Sequence, residues 1–254
     1  MPTSFVDHTA IIDAIMNAVS RSTLPFQRAA HRERHFGTAF WFNDLLETTP
    51  DGDVVRQYLV TAGALTRYDL AEVTLRAELC DPEMSAEKLL MTGFADGWEH
   101  YDDLGVAVLP AEALHAHGER KGWRWTTDEI TDGLAAGEQD IAAIGTDPVP
   151  AYILGHDVDA SSGARLQAVV VGNVARVGSG SVRWDRTVPD GCAGAPVFIG
   201  IPLGEGRIRL VCLGAVLPGR DRNVIATFDQ IRRAVRGGVP SPSRKRNGWK
   251  LRRR

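Results

Sequence analysis

Between His8 and Ser20 the hydrophobic residues Ile11, Ile12, Ile15, Met16 and Val19 recur at three- and four-residue spacing. That period predicts an amphipathic helix laid against the body of the protein. After Pro25 the pattern changes to short apolar or alternating runs: GTAFWF (37–42), RQYLVTAG (56–63), AEVTLRAEL (71–79) and LGVAVLP (104–110). These predict one antiparallel β unit. Residues 111–147 lose the alternation and predict connecting structure, with helices near 111–121 and 126–143. Strand-like runs resume at AYILGH (151–156), LQAVVVGNVARV (166–177), SVRW (181–184), APVFIGI (195–201) and RIRLVCLGAVL (207–217), a second β unit. IATFDQIRRAV (225–235) returns to helical spacing and predicts a closing helix ended by Gly237 and Gly238. The expected organisation is an N-terminal helix (1–24), a β-barrel (25–110), a connection (111–147), a second β-barrel (148–224), a helix (225–238) and a tail (239–254), with a cleft between the barrels.

Composition agrees with this reading. A chain of 254 residues that is 44% hydrophobic and 24% charged buries a full core without a disulfide or metal. Its 26 glycines and 13 prolines favour turn-rich β structure over a bundle of long helices. The first residues lack the basic region and unbroken apolar core of a secretory signal, and no later run approaches a membrane span, so the expectation is a cytoplasmic protein with no membrane partner. Cys80, Cys192 and Cys212 have no C-x-x-C spacing and leave an odd count, which predicts reduced thiols and no structural metal. His31, His35, His100, His115, His117 and His156 show no metal-ligand spacing; His115 and His117 are the nearest approach to one.

Charge adds one asymmetry. The last fourteen residues, SPSRKRNGWKLRRR, carry seven basic groups and no acidic one, and they offset a balance of −10 on residues 1–240 against the chain's net −3. A solvated tail is the expectation; nucleic-acid contact is the alternative, disfavoured by the acidic body and the near absence of aromatic residues in the tail.

Three short stretches carry the candidate chemistry: LVTAGAL (59–65), DLGVAVLP (103–110) and DGCAGAPVF (190–198). In order and spacing they resemble the three motif regions of the chymotrypsin-like, or trypsin-like, serine proteases, of the forms V-T-A-x-H, D-[apolar]-[small]-[apolar] and G-x-S-G-[small]-P. The resemblance covers roughly residues 25–235. It implies an all-β fold of two antiparallel six-stranded barrels with peripheral helices, and it implies endopeptidase chemistry on a protein or peptide substrate without a cofactor. By position, Ala64 stands where that family has its general-base histidine, Asp103 at the orienting carboxylate and Ala193 at the nucleophile, separated by 39 and 90 residues.

A serine hydroxyl attacks a carbonyl only when an imidazole takes its proton, and a buried carboxylate holds that imidazole in the right tautomer. A methyl group does neither. The backbone N–H groups of Gly191 and Ala193 still stand where the resemblance implies an oxyanion hole, a device that depends on main-chain geometry alone. Thr187 would lie at the base of the pocket for the residue before the scissile bond, with Leu217, Pro218 and Gly219 along its wall, which suggests a small or medium uncharged side chain. Cys192 is one residue out of register for a nucleophile, although cysteine replaces serine in some viral relatives of this fold.

Both replacements are alanine in an intact frame. That favours a deliberately silenced protease; the alternative is a natural pseudoprotease serving as a peptide- or protein-binding module. The resemblance further implies a bacterial protein whose activity an associated partner controls.

Overall fold

The computed structural model describes residues 7–29, 35–81, 83, 89–159, 161, 164–178, 180–219 and 223–237. The basic tail and His31 lie outside them. Helix α1 (His8–Val19) starts where the Asp7 carboxylate accepts the N–H groups of Thr9 (3.0 Å) and Ala10 (3.2 Å), an N-cap. Ile11, Ile15 and Val19 are buried and Ile12 half-buried, whereas Met16, expected on the same face, is exposed.

Eight strands follow: β1 (Thr23–Arg28), β2 (Phe36–Thr49), β3 (Gly52–Ala62), β4 (Leu70–Val73), β5 (Cys80–Asp81), β6 (Leu89–Thr92), β7 (Glu99–Tyr101) and β8 (Val106–Pro110). Seven of them form a curled antiparallel sheet in the order β6-β4-β1-β2-β3-β8-β7. Its two ends are not hydrogen-bonded to each other among the described residues. Packing holds the curl instead: Phe94 and Trp98, on the turn joining β6 to β7, lie against Phe26 with ring centroids 5.6 and 6.4 Å away. The run at 71–79 is strand only to Val73. Leu75 and Leu79 are buried, but residues 77–79 turn into a short 3-10 helix.

The connection holds α2 (Glu112–Lys121), β9 (Arg124–Trp125), β10 (Ile130–Thr131) and α3 (Glu138–Ala142). The helix expected over 126–143 is therefore mostly absent, because this segment finds backbone partners outside itself. Ile130 and Thr131 run parallel to Phe42 and Asn43 of β2, and β9 pairs with β5. Strands β11 (Val149–Val158), β12 (Arg165–Val177), β13 (Ser181–Trp184), β14 (Pro196–Gly204), β15 (Arg207–Val216) and β16 (Asn223–Thr227) then close a ring in the order β11-β12-β13-β16-β15-β14. Ala136 N–H bonds to Cys212 O (2.8 Å) and Cys212 N–H to Leu134 O (2.7 Å), so the connection is also tied to β15. It is a strap across both units.

The closing helix, α4 (Phe228–Gly237), starts three residues later than its periodicity suggested. Residues 223–227 complete the ring as β16, with Ile225 opposite Val216, because β-branched Val224, Ile225 and Thr227 suit a strand. The ring of Phe228 lies 5.0 Å from that of Phe42 and 6.0 Å from that of Phe40, packing α4 against β2. Helix α1 packs on β14 and β15 of the ring.

Arg236 of α4 bonds to Asp44 Oδ1 through Nε (2.8 Å), to Asp132 Oδ2 (2.9 Å) and to Leu45 O (3.1 Å), and Arg232 Nε meets Asp132 Oδ1 at 2.7 Å. The Asp44 side chain is 1% exposed, so Arg236→Ala strands a buried carboxylate. We expect a loss of about 2 kcal/mol in urea unfolding, below the ~3–5 kcal/mol of a fully buried pair, because the guanidinium is itself 43% exposed. An unchanged unfolding midpoint would show that the clamp contributes nothing.

Candidate active-site cleft

Strand β3 ends in a 3-10 turn, Gly63–Leu65, whose N–H at Gly63 bonds to Gly105 O (2.8 Å) in the turn between β7 and β8. The loops bearing Ala64 and Asp103 are thereby neighbours, as expected. Their side chains are both exposed. The Asp103 carboxylate has no hydrogen-bond partner among the described residues; beside it, Asp102 pairs with Arg67. At this turn Leu104 packs against the core, and an added Cβ on Gly105 would lie 2.9 Å from Leu217 Cδ1. An orienting carboxylate must be buried and fixed by donors. Asp103 is exposed in this structure, where Ala64 supplies no imidazole to cover it or bond to it.

The loop 189–195 is built differently. Cys192 N–H bonds to Pro189 O (3.0 Å), closing a turn with Gly191 at φ +91°, a left-handed position that suits glycine. Gly194 has φ +84°, and a Cβ there would lie 2.1 Å from Thr61 Oγ1, 2.6 Å from Thr38 O and 2.8 Å from Ala62 N. The loop can rest directly on β2 and β3 only because Gly194 has no side chain. Thr38 fixes the contact, donating its N–H to Ala193 O (3.0 Å) and its hydroxyl to Gly191 O (2.7 Å).

Hydrogen-bond accounting in this loop leaves a remainder. Cys192 N–H, Gly194 N–H and Ala195 N–H bond to Pro189 O, Val216 O and Cys192 O. The N–H groups of Gly191 and Ala193 have no acceptor among the described residues, although Gly191 is buried and Ala193 half-buried. Buried backbone donors are nearly always satisfied, so two open ones side by side in one loop mark a place for a ligand.

Both residues line a cleft of about 290 Å³. Thr187, Pro218 and Gly219 line it too, together with Leu65, the neighbour of Ala64. Leu217 does not; it is half-buried beneath, packed between the two cores. The wall is stitched by Asn223, whose Oδ1 accepts Gly219 N–H (3.0 Å) and whose Nδ2 donates to Arg186 O (2.9 Å). Sequence reasoning missed Arg186, Asp190, Asn223, His35 and Phe36 as lining residues. Asp190 stood inside a quoted motif and Arg186 adjoins Thr187, but Asn223, His35 and Phe36 had no local signal, since they reach the cleft from segments distant in the chain.

The thiols are not nucleophiles here. Cys192 is fully buried, its side chain facing Gly155, and burial pushes its pKa up to about 12, so it stays protonated at neutral pH. Burial raises Cys80 and Cys212 in the same direction. His100 and His156 are buried and neutral in character, bonded through Nε2 to Thr66 Oγ1 (2.9 Å) and Thr23 Oγ1 (3.0 Å), and His115 Nε2 meets Gln57 Oε1 at 2.6 Å. Among the described residues no group of three acidic, histidine or cysteine side chains could hold a metal ion, and no helix is long and apolar enough to cross a membrane.

A curled sheet and a closed six-stranded ring, strapped together with a cleft between them, define the chymotrypsin-like double β-barrel. Two solved structures share it: Deg5, with a TM-score of 0.52 and 14% identity over 91% of this chain and 94% of its own, and the serine endoprotease from Yersinia pestis, with a TM-score of 0.50 and 9% identity over 88% of this chain. The match spans 65% of the Yersinia protein's length. No protein-family pattern and no curated protein matches the chain by sequence.

Proposed function

We propose that this chain is a binding module on a protease fold, which receives a peptide in the cleft between its barrels and does not cleave it. The reading rests on the open N–H pair of Gly191 and Ala193 beside a position that carries only a methyl group. The device that would polarise a substrate carbonyl is intact in outline, while nothing at Ala64 or Ala193 can move a proton or attack. Three buried, unpaired cysteines suit a reducing compartment.

The order and spacing of the three motifs support a second reading, a serine endopeptidase silenced by the two alanines and governed by a partner. The double variant Ala64→His/Ala193→Ser separates the two. On the binding-module reading it stays unlabelled by a fluorophosphonate probe and inactive on a broad peptide library, because loss of the orienting carboxylate alone costs about 10⁴ in turnover. Robust cleavage by the folded double variant, alone or with an added partner, would establish the silenced peptidase.

A further inference from the structure

Resting on the reading of the cleft as a peptide site, we propose that its ligand is a peptide ending in the cleft, bound by its free C-terminal carboxylate, rather than an internal stretch of chain passing through. Three observations carry this. The first is the pair of unsatisfied N–H groups, Gly191 and Ala193, flanking the single satisfied one of Cys192. Two open donors on alternate residues lining one cleft suit an anion better than a neutral amide, because hydrogen bonds to a charged acceptor are roughly twice as strong. The turn at 189–192 and the two Thr38 bonds hold them in place before any ligand arrives.

The second is the side chain between them and the solvent. Ala193 lines the cleft with a methyl group, so the space beside the N–H pair that a longer residue would fill remains available. A carboxylate has a second oxygen to place there; a peptide carbonyl has instead a nitrogen and a continuing chain. The volume agrees, since about 290 Å³ lies at the small end of the roughly 300–1,000 Å³ of ligand pockets. That room suits a terminal residue and its carboxylate. On the N-terminal unit's side the same pocket is bounded by His35, Phe36 and Leu65.

The third is charge. Arg186 lines the cleft, and its only ion pair among the described residues is a long one, Nε to Asp185 Oδ1 at 3.8 Å, with Asp185 already accepting two bonds from Asn173 at 2.9 and 2.7 Å. Its side chain is 63% exposed, so it is the cation nearest at hand for a ligand in the cleft among the lining residues. Asp190 lies on the same wall and offsets it, so recognition comes from directed N–H donors and a local cation and not from a net positive pocket. The side chain of the terminal residue would meet Thr187, Val188, Pro189 and Pro218, a lining for an uncharged residue of small or medium size.

The test uses the unaltered chain and two hexapeptide libraries, randomised at five positions and ending in Ala, Val or Thr, one as free acids and one as C-terminal amides. Binding is read by affinity selection, then by fluorescence anisotropy on the best sequence in both forms. We expect the acid to bind at least about tenfold more tightly than its amide. In ¹H–¹⁵N spectra the acid should move the Gly191 and Ala193 amide signals most. Arg186→Gln should lower the acid preference about two- to fivefold, the range of an exposed ion pair. Ala193→Asp, which supplies a carboxylate from within, should abolish the preference. Acid and amide binding within twofold of each other would overturn the inference while leaving the peptide-binding reading intact. No binding in either library would overturn both.

Discussion

Replacing Gly194 by alanine will destabilise the protein by about 2–5 kcal/mol, while the same change at Gly204 will cost about 1–2 kcal/mol. The two glycines have the same backbone angle, φ +84°. Alanine in the left-handed region costs about 1–2 kcal/mol wherever it stands. At Gly204, at the end of β14, an added Cβ meets nothing within 4 Å, so that strain is the whole effect. At Gly194 the added atom enters the seam between the barrels, 2.1 Å from Thr61 Oγ1 and 2.6 Å from the Thr38 carbonyl. Thr61 Oγ1 is itself committed, donating to Thr38 O at 2.8 Å, so it cannot swing aside without leaving that carbonyl unpaired. Overpacking of this kind typically adds 1–3 kcal/mol or more. Urea unfolding of both variants against the parent gives the difference directly. Equal losses at the two sites would show that the nucleophile-like loop does not rest tightly on β2 and β3.

Acidification supplies the second large effect. His156 is 1% exposed, and burial, with help from the nearby Arg76 and Arg165 guanidinium groups, holds its pKa down at about 3. An unfolded histidine titrates near 6.5. Between those values the unfolded chain takes up a proton that the folded chain refuses, so folding stability rises with pH through this window and is complete above about 6.5. Lowering the pH from 7 to 5 should remove about 2 kcal/mol through this one residue. His100 and His117, also held low chiefly by burial, add in the same direction. His156→Gln should flatten the pH dependence of the unfolding midpoint between 7 and 5, whatever it does to stability at pH 7. A slope as steep as the parent's would assign the acid lability elsewhere. The effect bears on the cleft, because a Cβ on Gly191 would lie 2.2 Å from the His156 carbonyl oxygen. Charging that imidazole disturbs the strand directly beneath the loop.

Much of this architecture is legible in local pattern. The spacing of Ile11, Ile15 and Val19 marks the buried face of α1, and alternation marks the long strands of both units, because each depends on which side of one element faces the core. The loop at 190–195 is legible for a related reason: glycines at 191 and 194 are demanded by backbone angles and close contacts that residues of any other kind would break. Where periodicity misled, a partner distant in the chain took over. Residues 225–227 read as the start of a helix, yet with Asn223 and Val224 they supply the strand that closes the ring between β13 and β15. Residues 126–137 read as helical, yet they lie along β2 and β15.

The site divides in the same way. Sequence alone determined that no hydroxyl or imidazole stands at 64 or 193 and that the loop around Ala193 must turn sharply on two glycines, because both follow from residue identity and nearest-neighbour sterics. Only the tertiary structure decided which residue of Asp102-Asp103-Leu104-Gly105 faces inward. In a tight turn each successive residue points a different way, so the phase is set by what the turn packs against. Here Gly63 N–H takes the Gly105 carbonyl and Leu217 fills the space above it, which leaves the Asp103 carboxylate in solvent. Likewise His35 and Phe36 join the cleft through the docking of one barrel on the other, and Asn223 through closure of the ring, packings of faces whose members share no period and no motif along the chain.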